Sequence, residues 1–138
     1  MFRTKTQHVM IIGCGRLGAA LAGVLCERKY TVTVIDSENA SFDRLPPGFP
    51  GTIITGDAAD VNTLVSAGIQ KADIVMPVTG DDNTNLFAAQ IAKDIYRTPK
   101  VIARLSDPER GGTYGVFGIR ILSPYELVVR AFAGEVTA

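Results

Sequence analysis

The chain is predicted to adopt a doubly wound α/β fold, a single Rossmann-like domain with six parallel strands in the order 3-2-1-4-5-6. Three observations predict it. Six short β-rich runs alternate with helical patterns or turns along the 138 residues. Most of these runs are almost continuously apolar, as strands buried on both faces of a parallel sheet must be. The first run also passes directly into a glycine loop, Gly13-Cys14-Gly15-Arg16-Leu17-Gly18, which opens an amphipathic helix.

The predicted strands are Val9–Ile12, Val32–Ile35, Thr52–Thr55, Ile74–Val78, Val101–Arg104 and Ile119–Leu122. In the first helix Leu17, Ala20, Leu21, Val24 and Leu25 recur at the spacing of one buried stripe. Val61, Leu64 and Val65 repeat that pattern over a shorter span. A longer helix is expected from about Asp82 to Tyr96, with Phe87, Ile91 and Ile95 stacked and Pro99 ending it. Ser123, Pro124 and Glu126 predict a capping box at the start of the last helix. Gly134 is expected to stop that helix. The exception is the connection from Asp43 to Gly51, where three prolines and two glycines allow one helical turn at most.

Residues 1–138 are read as one domain, with 46% apolar residues available for a core. No apolar run approaches the roughly 20 residues needed to span a bilayer. The segment Met1–Gln7 is too short for a secretory signal, so a cytoplasmic location is expected. Fourteen basic and fourteen acidic residues cancel, and no basic stripe is visible, which argues against a nucleic-acid partner. Cys14 and Cys26 lack metal-ligand spacing and are expected to be small buried thiols. No metal site is expected.

The glycine loop gains weight from its setting. Gly13 allows the tight turn, Gly15 lets backbone approach a phosphate, and Gly18 lets the helix pack closely. The helix N-terminus offers N–H groups and partial positive charge to the phosphates of NAD or an adenine nucleotide. Asp36 ends the second strand, at the position of the acid that accepts from ribose hydroxyls, with Ser37 beside it. A carboxylate there repels a 2′-phosphate, and no arginine follows at once, which disfavours NADP. Arg16 stands in the loop against the helix dipole; a bound anion explains it better than solvent does. Asp57, in Gly56-Asp57-Ala58, could accept from an adenine amino group, while Asp57 or Asp60 could equally cap the next helix. Thr79 and Gly80 would line the site with backbone, and Asp81 and Asp82 would complement a helix N-terminus. Arg104 points to the same edge and could reach a nucleotide or a neighbouring acid.

Nothing in the chain supplies catalysis. His8, the single histidine, lies at the wrong end of the first strand. Tyr96 and Lys100 have the spacing of a short-chain dehydrogenase pair, but Pro99 breaks the helix between them. No serine-hydrolase elbow, phosphate-binding P-loop or zinc-protease motif occurs. One nucleotide-binding unit leaves no second domain for a hydride acceptor.

Taken together, Met10–Gly18, Asp36, Gly56-Asp57-Ala58, Thr79–Asn85, Val101–Arg104 and Gly118–Pro124 resemble the N-terminal domain of TrkA-type potassium-uptake regulators, the RCK or KTN domains. The resemblance covers essentially the whole chain. It implies a cytosolic, non-enzymatic subunit that senses NAD(H) or ATP, ADP or AMP and gates a membrane potassium channel or transporter, lying at the inner face of the membrane through that partner. It implies phosphate contacts at Gly13, Gly15, Arg16, Leu17 and Gly18, ribose at Asp36 and Ser37, and adenine at Asp57 and Ala58. Thr79, Gly80 and Arg104 would complete the pocket. It also implies a homodimer or larger ring built through the C-terminal helix, whose Leu127, Val128, Val129, Ala131 and Phe132 present apolar surface on more than one side. Tyr125 stands where the family often has an acid after Ser-Pro. Many relatives carry a further C-terminal ligand domain, so both a single-domain member and a piece of a longer protein are expected forms. The alternative is the NAD-binding domain of a larger NAD-dependent oxidoreductase.

Overall fold

A computed structural model describes residues 6–107, 109 and 118–138. Most of the Met1–Gln7 segment considered above therefore lies outside the described residues. Strands β1 (His8–Ile12), β2 (Thr31–Asp36), β3 (Thr52–Thr55), β4 (Ile74–Pro77), β5 (Lys100–Arg104) and β6 (Arg120–Leu122) form one parallel sheet in the order β3-β2-β1-β4-β5-β6. The registers Ile12↔Ile35 and Ile12↔Pro77 place β1 at the centre, where the winding reverses on either side of it. The predicted order and the six strands hold, with ends shifted by a residue at most.

Alternation along β1 explains its unbroken apolar run. Val9 and Ile11 join a cluster with Val32, Val34 and Phe42 on one face, while Met10 and Ile12 join Ile35, Leu64 and Val75 on the other. Helix α1 (Arg16–Glu27) covers the first face. Helices α2 (Val61–Ser66) and α3 (Asp82–Gln90) cover the second. After β2 the chain makes a 3-10 helix, Asn39–Arg44, and none follows through Gly51.

Several expected details differ. The buried face of α1 is Gly18, Ala19 and Ala22, flanked by Leu21 and Leu25, whereas Leu17 and Val24 are exposed. The helix lies so close to the loop before it that only small residues fit beneath. The third helix does reach Ile95, but its last turn, Ile91–Ile95, is a π-helix. The wider turn rotates Ile95 out to 59% exposure, while Phe87 and Ile91 stay packed on the core. Gly134 does not stop the C-terminal helix α4, which runs Pro124–Thr137 through it. The capping box is half formed. Ser123 Oγ accepts from Glu126 N at 3.4 Å, but the Glu126 carboxylate turns to Arg130. No helix among the described residues is long and apolar enough to cross a membrane.

Candidate functional site

The carboxyl ends of β1, β2 and β4 meet at the reversal point of the sheet, where an α/β fold opens a ligand crevice. A cleft of about 230 Å³ lies there. Its floor is Ile12, Gly13 and Ile35; one wall is Asp36, Ser37, Gly56, Asp57 and Ala58, and the facing wall is Thr79, Gly80, Asp81 and Thr84. Seven of the sequence-selected residues are thus brought together from four separate segments. Gly15, Arg16, Leu17, Gly18 and Arg104 are not among its lining.

The glycine loop is held by the fold on one side and left open on the other. Gly13 has φ of +107°, and a Cβ there would stand 3.0 Å from Thr79 Cα, so glycine is required by both backbone and space. At Gly18 a Cβ would fall 1.8 Å from Gly13 O. Among the described residues nothing lies within 4 Å of the place a Cβ would take at Gly15. The fold itself makes no demand for glycine at that position, which leaves room for another molecule to reach the backbone. Among the described residues no side chain caps the N-terminus of α1, and no acid stands in its first turn. Its N–H groups and dipole therefore face outward beside the exposed Arg16.

Asp36 locks this arrangement. Its Oδ2 accepts from Cys14 N at 2.7 Å and its Oδ1 from Glu38 N at 2.8 Å. The carboxylate ties the glycine loop to the end of β2 and keeps further lone pairs on both oxygens for a diol. Cys14, fully buried beneath it, has its thiol pushed up from 9.0, first by desolvation and then by the Asp36 charge, with Arg44 opposing. Arg44 sits on the 3-10 helix, its Nη1 donating to Cys14 O at 3.3 Å. Sequence reasoning missed this cation, because only the fold of the 39–44 segment brings it to the loop.

The acids divide the roles left open above. Asp60 caps α2, accepting from Asn62 N, while Asp57 accepts from Ala59 N within its own turn and lines the cleft. Asp81 caps α3 through Asn83 N. Asp82 reaches across instead and accepts from Ser106 N at 2.8 Å. Asn85, also missed as a site residue, is completely buried and joins Thr79 to Arg104 O.

The Arg104 side chain goes elsewhere. It lines an apolar groove of about 330 Å³ together with Leu17, Leu21, Ile102, Leu122 and Leu127, and its buried Nε has no hydrogen-bond partner among the described residues. His8 serves the opposite end of the sheet, with Nε2 2.9 Å from the hydroxyl of buried Thr33. Among the described residues no cluster of His, Cys, Asp or Glu could hold a metal ion.

Residues 9–123 match the family model of the TrkA-N domain. The chain is 42% identical over 113 residues to the Trk system potassium uptake protein TrkA of Streptomyces coelicolor, covering 82% of this chain and 51% of that protein. It spans about half the length of the curated relatives it matches. It superposes on the RCK domain of GsuK with a TM-score of 0.71 at 27% identity, over 85% of this chain and 25% of that one. For GsuK bound to ADP the TM-score is 0.78 at 25% identity, over 92% of this chain and 33% of the other.

Proposed function

The chain belongs to the TrkA-N domain family, and on that premise we propose that it is a nucleotide-sensing regulatory domain of a potassium transport system, without turnover of its own. Bound NAD(H) or an adenine nucleotide is the signal. The observation that carries this reading is the open side of the glycine loop. Gly13 lines a cleft whose wall is Asp36, and the Gly15 backbone, the uncapped N-terminus of α1 and Arg16 follow it directly along the chain. Phosphates sit at Gly13–Gly18, ribose on Asp36 and Ser37, and adenine against Asp57 and Ala58, with Thr79 and Gly80 as the facing wall. Asp36, Asp57 and Asp81 line the cleft and, among the described residues, no cation does, so the charge that meets the phosphates comes from Arg16 and the helix, with Arg44 behind the loop.

The output surface is α4, every residue of which beyond Glu126 is exposed. Val129, Phe132 and Val136 form one stripe along it, exposed by 48, 72 and 86%. A second copy covers this stripe, giving a dimer or a ring, and the groove holding Arg104 lies at its base. That assembly gates a membrane potassium channel or transporter from the cytoplasmic side.

Thermal unfolding against NAD, NADH, ATP, ADP and AMP tests the nucleotide reading. A ligand confined to the folded state adds about 2.7 kcal/mol at 100 times its Kd, and at least one of the five is expected to raise the Tm. No shift with any of them, or steady NADH oxidation with a small substrate, defeats it.

A further inference from the structure

Asn85 has no exposed surface and spends its whole hydrogen-bonding capacity on two strand ends. Its Oδ1 accepts from Thr79 N at 2.9 Å and from Thr79 Oγ1 at 2.7 Å. Its Nδ2 donates to Thr79 O and to Arg104 O, both at 2.9 Å. Helix α3 does not need this side chain for capping, since Asp81 does that. Thr79 is a wall of the cleft and lies against Gly13.

The bond to Arg104 O leads outward. That carbonyl shares a peptide unit with Leu105 N, which donates to Leu122 O at 3.1 Å. Leu122 precedes Ser123, the N-cap of α4. A continuous hydrogen-bonded line therefore runs from the cleft wall, through one planar amide and one peptide plane, to the base of α4. Asp82 reinforces it from the same turn of α3 by holding Ser106 N and Asp107 N. Thr79 cannot shift relative to Arg104 without leaving a buried polar group unpaired, which is more costly than the bond itself is worth.

Given the nucleotide reading above, on which this depends, we propose that Asn85 is a positioning residue of the cleft and the link through which its occupation reaches the base of α4. The test is hydrogen exchange of wild type and Asn85→Asp, with NADH and ADP as probes. Aspartate keeps the acceptors but cannot donate to the carbonyls of Thr79 and Arg104. In wild type, saturating probe is expected to slow exchange both at 13–18 and at 120–127. In the variant, affinity falls about tenfold, the worth of roughly one or two such bonds. At saturation, protection returns at 13–18 but not at 120–127. A purely structural role would lower the urea midpoint and leave both protected regions intact; that result overturns the proposal. So does a wild type protected at 13–18 alone. Wild type with no protection even at 13–18 defeats the nucleotide reading and this inference with it. If Asn85→Asp does not fold, Asn85→Ser takes its place with the same outcomes, since serine is uncharged and too short to span to Arg104 O.

Discussion

Arg16 and Cys14 stand two positions apart and report on opposite sides of the glycine loop. Arg16 is exposed at a helix N-terminus, where a cation is disfavoured by the dipole and makes no contribution to the core. Arg16→Ala is therefore expected to leave the urea midpoint unchanged while weakening nucleotide binding by about tenfold, the worth of one charge-assisted hydrogen bond. Titration calorimetry beside urea unfolding checks both halves; unchanged affinity would mark the fold as an assembly module only. Cys14 reports the buried side. Its folded pKa lies above 9.0, the value it regains on unfolding. Below pH 9 both states carry the proton and its contribution to stability is fully present. Above pH 9 the unfolded chain ionises first, so stability falls as pH rises through the folded value. The urea midpoint of wild type is expected to drop between pH 8 and pH 10 more than that of Cys14→Ala.

At the scale of elements, α1 and α4 use small residues for opposite reasons. Gly18 is where α1 touches the loop, and Gly18→Ala would force Cβ into Gly13 O at 1.8 Å. Backbone on the far side cannot yield cheaply, so a loss of about 2 kcal/mol or more in urea unfolding is expected, together with loss of nucleotide binding. Gly134 has nothing within 4 Å among the described residues and an ordinary helical setting in α4. Gly134→Ala should strengthen that helix by up to about 1 kcal/mol, read as increased helical circular dichroism on heating. The helix pattern predicts both elements, but it cannot show that one is pressed against backbone while the other is free.

For the whole molecule, the decisive fact is how unevenly apolar surface is distributed. Both faces of the central strands are sealed, yet α4 carries Tyr125, Val129, Phe132 and Val136 into solvent. Scattered apolar residues on a surface are ordinary; a contiguous row along one helix is the feature on which the proposed interface rests. The double change Val129→Glu and Phe132→Glu is expected to convert the proposed assembly to monomer in light scattering. It should leave the nucleotide-induced rise in Tm in place, since neither residue approaches the cleft. A protein already monomeric as wild type would refute the assembly reading.

The sequence by itself determined all six strands, the glycine loop and Asp36, because each is written in local chemistry, and the sheet order followed from the fold class that they imply. Continuous apolar runs, glycine spacing and a strand-end acid need no knowledge of what lies across the molecule. Asp60 and Asp81 as caps were within reach for the same reason. Only the tertiary structure decided the rest. It set the true buried face of α1, Gly18, Ala19 and Ala22 in place of Leu17 and Val24, with Gly18 pressed against Gly13 O. It turned the side chain of Arg104 into the apolar groove, although its strand position is at the cleft edge. It brought Arg44 to the loop across thirty residues, and it made Asn85 a four-bond clamp between strands. Such contacts depend on which segments the fold sets side by side, and spacing along the chain carries no record of that.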